Sequence, residues 1–183
     1  MANPALVARV DALPATPFAG DAFRHQPPRY DPRSGRGARI QGGRWNPPDS
    51  FPILYLGLDR QTVLDEFLRL ARRSNRDPED FLPRVLYRYD VSLTNVLDLR
   101  EPDALDAVGL TTSKIASDDL RPCQDVGDAA RHAGREGILA PSAAGPGVVL
   151  ALFVDDLGAR SRIQPEQLEV WEKLGERQAA DVD

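Results

Sequence analysis

The sequence predicts an α+β domain with mixed, mostly antiparallel sheets and short flanking helices. Three observations carry that expectation. Helical and strand-like segments follow one another at irregular intervals, which argues against a regular βαβ repeat. Sixteen prolines stand in 183 residues, above the usual ~5%, and so many breaks favour short elements over a long bundle. A hydrophobic fraction of 42% beside 28% charged residues suits one globular domain, burying roughly two-thirds of its unfolded surface.

Residues 1–20, rich in Ala and Pro, read as an N-terminal arm with one short helical or extended piece. A main domain follows over 21–158, and 159–183 reads as a C-terminal helix or tail packed on it or trailing it. Within 26–50, Pro27, Pro28, Pro32, Gly35, Gly37, Gly42, Gly43, Pro47 and Pro48 predict a long loop or a set of tight turns. A loop of that length is uncommon in a compact domain unless it is functional or mobile, so it is expected to cover a ligand. Pro52 to Leu58 predicts a buried strand. From Asp59, a good N-cap, to about Arg73 the apolar residues Val63, Leu64, Phe67, Leu68, Leu70 and Ala71 recur at helical spacing. They fill one arc with Glu66 at its margin, and Asp65 and Arg69 fall on the wet side. Val85 to Val91 alternates as a half-covered strand does, and Asn95 to Leu99 predicts another short one. Pro102 to Val108 and Gln124 to Ala133 read as helices closed by Gly109 and Gly134. Ile138 to Ala140 and Val148 to Val154 are expected as strands flanking the turn Pro141 to Gly147.

Several function classes fall away. The longest apolar run, Val148 to Val154, is far short of the ~20 residues that cross a bilayer. The N-terminal residues lack an apolar stretch of signal-peptide length. A single cysteine, Cys123, allows no internal disulfide, so a cytoplasmic setting is expected. His25, His132 and Cys123 give no metal-ligand spacing, and no metal site is expected. The chain carries a net charge of −5, against general nucleic-acid binding. Yet Arg24, Arg29, Arg33, Arg36, Arg39 and Arg44 lie close together with only Asp31 among them, a cationic segment suited to an anionic ligand. A solvated basic loop is the plain alternative. A nucleic-acid-binding module docking through this segment is another, disfavoured by having only Lys114 and Lys173 as lysines.

The segment Gly42-Gly43-Arg44-Trp45-Asn46-Pro47-Pro48, then Ile53-Leu54-Tyr55-Leu56, then Glu66, carries the chemistry. Arg44 offers a planar fork for phosphate, and the glycines before it let backbone approach closely. Tyr55 offers a ring face and a hydroxyl; Ser142, in a tight turn, can bond a carboxylate or a ribose hydroxyl. Glu66 has no second acid at fixed spacing, and ordinary glycoside hydrolysis needs two, one to protonate the leaving group. A nicotinamide–ribose bond does not, because its base is already a pyridinium and departs neutral. One carboxylate then suffices to stabilise the oxocarbenium-like charge. Each residue also has a plainer reading: Arg44 as a surface salt-bridge arginine, Tyr55 as a core tyrosine, Glu66 as a partner of Arg69, Trp45 as a loop anchor.

GGRWNPP, ILYLG and LDE resemble the core of the RES domain, and the similarity spans about residues 22–155. In that family an Arg, a Tyr and a Glu occur in this order, with a Ser in a P-S-A-like setting; here these are Arg44, Tyr55, Glu66 and Ser142. An upstream arginine matches Arg24, with His25 beside it. Leu64-Asp65-Glu66 departs from the commoner Ala-x-Glu approach, which puts loop details and acceptor choice in doubt. The resemblance implies an ADP-ribosyltransferase-like fold and the toxin of a RES–Xre toxin–antitoxin pair. Such a toxin consumes NAD+ by hydrolysis or phosphorolysis, or transfers ADP-ribose to protein. It further implies Glu66, Arg44, Tyr55 and Ser142 as catalytic residues, and Arg24, His25, Gly43 and Trp45 as substrate-binding ones. No prosthetic group is expected; NAD+ is the substrate, with inorganic phosphate as co-substrate where the cleavage is phosphorolysis and water where it is hydrolysis. The implied partner is an Xre-like antitoxin, with a homodimer also expected and nucleic acid reached only through the antitoxin.

Overall fold

The computed structural model describes residues 2–174. The chain first forms helix α1 (Pro4–Asp11), capped by the Asn3 side chain, which accepts from the Ala5 amide at 3.0 Å. Leu6 and Val10 are its buried residues. Strand β1 (Ala15–Gln26) follows, then α2 (Arg36–Gln41), β2 (Ile53–Gly57), α3 (Arg60–Arg73) and β3 (Arg84–Asp98). Three short helices, α4 (Pro102–Ala107), α5 (Thr112–Ala116) and α6 (Arg121–His132), precede β4 (Gly137–Pro141), β5 (Val148–Phe153) and β6 (Arg162–Trp171). No helix among the described residues is long and apolar enough to cross a membrane.

The sheet runs β1-β2-β5-β4-β3-β6, and a further pairing of β1 with β3 closes five of the strands into a ring. Every pairing is antiparallel except that of β3 with β4. Strict alternation along β2, β4 and β5 sorts the apolar side chains onto two faces. Leu54, Leu56, Leu139, Leu150 and Leu152 point inward to meet Ala22, Tyr89, Val91, Leu93 and Val96. Ile53, Ile138, Ala140, Ala151 and Phe153 point outward, under α1, α4, α5 and α6. Helix α3 closes a third cluster, laying Val63, Leu64 and Phe67 against Leu86 and Trp171.

Three elements differ from expectation. The two short strands expected after residue 84 are one strand of 15 residues, because β3 changes partner instead of stopping. It pairs with β6 over Arg84–Ser92 and with β4 over Val96–Asp98. In the gap, the Thr94 and Asn95 amides donate to Oε2 of Glu136 at 2.7 and 3.0 Å. Its Oε1 accepts from the Gly158 amide at 2.6 Å and from the Ser161 hydroxyl. The expected C-terminal helix is replaced over Arg162–Trp171 by strand β6, with Pro165 tolerated because the strand lies at an edge; residues 175–183 lie outside the described residues. The 26–50 segment is not a bare loop. It contains α2, and Tyr89 donates from its hydroxyl to the Pro32 carbonyl at 2.8 Å. Gly35 presses so closely on the Pro52–Ile53 backbone that a Cβ there would lie 2.6 Å from the Ile53 nitrogen.

Candidate active site

The GGRWNPP segment is built to hold Arg44 outward. Gly42 ends α2 with φ +73°, a left-handed conformation that favours glycine. Gly43 lies flat on Tyr55, where a Cβ would stand 2.5 Å from the phenol oxygen. The Tyr55 hydroxyl accepts from the Trp45 amide at 2.9 Å and donates to Oδ1 of Asn46 at 2.8 Å. Asn46, wholly buried, donates in turn to the carbonyls of Ala38 and Phe51 at 2.8 and 3.2 Å. From α6, Gln124 donates to the Gly43 carbonyl at 2.9 Å, and Gly127 lets the helix touch the Trp45 backbone. The Trp45 side chain, 2% exposed, is core. The indole expected at the substrate is instead packed inside, because it anchors the loop. Burial pushes the Tyr55 phenol well up, so it stays protonated, and its hydroxyl is occupied in holding this loop.

Arg44 is half-buried and donates from Nη1 to the Ser117 carbonyl, just beyond α5, at 3.0 Å. It also lies against Cys123 of α6, whose thiol is pushed up by burial and drawn partly back by the Arg44 charge.

Glu66 reaches the site from α3, which starts where Asp59 accepts the Thr62 amide at 2.7 Å. Ser142, 76 residues away, donates its hydroxyl to Glu66 Oε1 at 2.6 Å. The same hydroxyl accepts from the Ala144 amide at 3.0 Å, which fixes its proton toward the carboxylate. The other carboxylate oxygen, Oε2, makes no hydrogen bond among the described residues. Glu66 is half-buried at the helix margin, as the spacing predicts.

Arg69 does not face water as expected. It is only 18% exposed and donates to the carbonyls of Ala143, at 2.6 Å, and Ala116, at 3.0 Å. The polar side of α3 is covered by the β4–β5 turn, and a helical wheel contains no information about that contact. Asp65 is likewise half-buried, with Gly145 of the same turn against its carboxylate. Burial lowers the Arg69 pKa and the Arg44 charge lowers it further, while Glu66 and Asp118 oppose. Arg44, Arg69, Glu66 and Ser142 therefore converge where α3, the β4–β5 turn and the segment after α5 meet.

Arg24 and His25 are consecutive on β1 and so point to opposite faces. Arg24 turns inward beside the Tyr89 hydroxyl; burial lowers its pKa, and its Nη1 is buried with no partner among the described residues. Burial pushes Tyr89 itself up to about 12. His25 is packed between Phe67 and Trp171, with ring centroids 4.7 and 5.5 Å away. Its Nδ1 accepts from Arg84 Nε at 2.9 Å. Burial first, then the charges of Arg84 and Arg24, hold it neutral, far below its ordinary pKa. The side chain expected to bind substrate is thus a core residue, and no hydrogen bond or ion pair among the described residues ties Arg24 to the Arg44–Arg69 group. A shallow cavity of about 290 Å³ lined by Arg33, Arg88, Asp90, Gln164, Pro165 and Glu166 shares no residue with the site.

Known proteins resemble this arrangement along nearly the whole chain. The RES domain family model matches residues 19–172. Curated proteins called NAD(+) phosphorylase MbcT, from Mycobacterium bovis and Mycobacterium tuberculosis, are 36% identical over 171 residues, covering 92% of this chain and 89% of theirs. Among solved structures, the crystal structure of the M. tuberculosis MbcT–MbcA toxin–antitoxin complex is similar with a TM-score of 0.77 and 34% identity, covering 91% of this chain and 93% of that one. By sequence and by fold together, the chain belongs to the RES domain family.

Proposed function

We propose that this protein is a toxin that degrades NAD+ by cleaving its nicotinamide–ribose bond, with inorganic phosphate as the acceptor. The observation that carries the reading is the Glu66–Ser142 bond, which holds one carboxylate oxygen and leaves the other free near Arg69, itself near Arg44. The free oxygen would bond a ribose hydroxyl and stabilise the positive charge that grows on the ribose as the base departs. Arg44 and Arg24 would bind the pyrophosphate, the second through its unpartnered Nη1. Tyr55 and Gly43 act through the loop that aims Arg44, with Ser142 orienting Glu66. The names of the similar mycobacterial proteins favour phosphate over water as acceptor. An ADP-ribosyltransferase-like fold, supported by the mainly antiparallel closed sheet, goes with this reading. So do a cytoplasmic setting, an antitoxin of the Xre type that covers the site, a homodimer, and no prosthetic group.

The test is purified protein with NAD+, with and without phosphate, the products resolved by chromatography. Nicotinamide should appear together with a phosphorylated ADP-ribose. Glu66→Gln should lower turnover by about 10²–10³, the usual cost of losing one preorganised electrostatic group. Full activity in that variant sinks the assignment, and labelled ADP-ribose on a protein band would indicate transfer to protein instead.

A further inference from the structure

Arg69 lies one helical turn beyond Glu66, and the two side chains grip neighbouring residues of one turn. Glu66 is bonded to Ser142, and Arg69 donates to the carbonyl of Ala143. Arg69 and Arg44 likewise share a second anchor, donating to Ala116 and Ser117 in succession. Two guanidinium groups are thereby held near enough for one to depress the pKa of the other. Like charges are not brought together in a half-buried place without cost. The anions at hand are insufficient to offset it. Glu66 is one carboxylate beside two cations, and Asp118, at 3.6 Å from Arg69, is 79% exposed and shared with Arg73. Neutral carbonyls complete the first contacts of both arginines, and a doubly charged oxyanion would satisfy them better.

We infer that Arg69 is the receptor for the inorganic phosphate that accepts the ADP-ribosyl group. This rests on the NAD+ phosphorolysis proposed above. The acceptor must reach the ribose carbon whose charge Glu66 stabilises, and Arg69 is the cation whose pKa Glu66 directly raises. Arg44 and Arg24 remain for the pyrophosphate of the dinucleotide, as proposed above. In the step, an oxygen of hydrogen phosphate bonds to the anomeric carbon as the carbon–nitrogen bond breaks. The bonding pair stays on the pyridine nitrogen, nicotinamide leaves neutral, and the proton stays on the transferred phosphate. No oxidant or reductant is required.

The experiment compares wild type, Arg69→Gln and Arg69→Lys, with initial rates at varied phosphate and varied NAD+. Calorimetric titration with inorganic phosphate alone accompanies the rates. Loss of the charge-assisted contacts should raise the phosphate KM about tenfold or more and leave the NAD+ KM within about twofold. The hydrolysis-to-phosphorolysis ratio should rise, and Arg69→Lys should recover part of the loss by restoring the charge. An unchanged phosphate KM in an otherwise active Arg69→Gln overturns the inference and leaves the NAD+ reading intact. A rise confined to the NAD+ KM also overturns it, because Arg69 would then serve the dinucleotide. Phosphate binding that depends on Arg69, in a protein that releases no nicotinamide, upholds the receptor and defeats the NAD+ reading. Absence of phosphate binding and of any phosphate effect on rate defeats the receptor. If Arg69→Gln does not fold, the phosphate KM of Arg69→Lys decides: a value equal to wild type refutes the assignment, because a point charge cannot reproduce the fork.

Discussion

Replacing Glu136 by alanine would strip the acceptor from three backbone amides at the point where β3 changes partner. Those of Thr94, Asn95 and Gly158 donate at 2.7, 3.0 and 2.6 Å, and the Ser161 hydroxyl is a fourth donor. The residue is 3% exposed. A buried donor left unpaired costs about 1–3 kcal/mol; allowing water into the vacated space, the sum is about 4 kcal/mol. That is a large share of the ~5–15 kcal/mol that stabilises a domain, and corresponds to a melting point lower by about 8–16 °C. Burial raises the Glu136 pKa and its hydrogen bonds lower it, with the bonds prevailing, so the folded value lies below the ordinary one. The carboxylate's contribution is therefore complete above its unfolded pKa of about 4.3 and is lost as pH falls through the folded value. Thermal melts followed by circular dichroism at pH 7 and near pH 3 check both parts. The gap between wild type and Glu136→Ala should be wide at pH 7 and narrower in acid. A gap under about 1 kcal/mol at neutral pH, or one that widens in acid, would refute this account of the partner change.

Ser142→Ala should lower kcat about tenfold with the NAD+ KM little changed, because it frees the Glu66 carboxylate without removing it; steady-state kinetics report the split. His25 is held neutral when folded, so an unfolded chain with a pKa of about 6.5 binds the extra proton in acid, and stability falls as pH drops below that value. Between pH 7 and 5.5 this amounts to about 1 kcal/mol by linkage, seen as a shift in urea midpoint that His25→Phe abolishes. Gly43→Ala forces a methyl group into the Tyr55 phenol and should displace Arg44, reducing NAD+ consumption by tenfold or more in order of magnitude while the circular dichroism spectrum persists.

Much of the site was legible because its local physics is strong. Asp59 caps α3 as expected, and the apolar arc leaves Glu66 half-buried. Continuous apolar runs mark β2, β4 and β5, whose two faces are both covered. β1 and β6 escaped because much of their length is exposed and polar residues fall on both faces, so no alternation marks them. Arg69 escaped for another reason. Its neighbours one turn away along α3, Asp65, Glu66, Arg72 and Arg73, are charged, and the partner that buries it lies 74 residues away. Gln124 reaches the site by the same kind of distant contact, bonding the Arg44 loop from α6, whereas Asn46 braces that loop from within through near neighbours. Trp45 followed its plainer reading as an anchor.

Closing five strands on one another leaves β6 with a long rim that no strand among the described residues occupies. Such a rim invites recruitment of strands from other copies. Here Pro165 removes one amide donor, and Arg162, Glu166 and Glu169 bring charges that a docking strand would have to desolvate. The design discourages stacking into fibrils, so copies of the chain that meet edge to edge gain little by pairing.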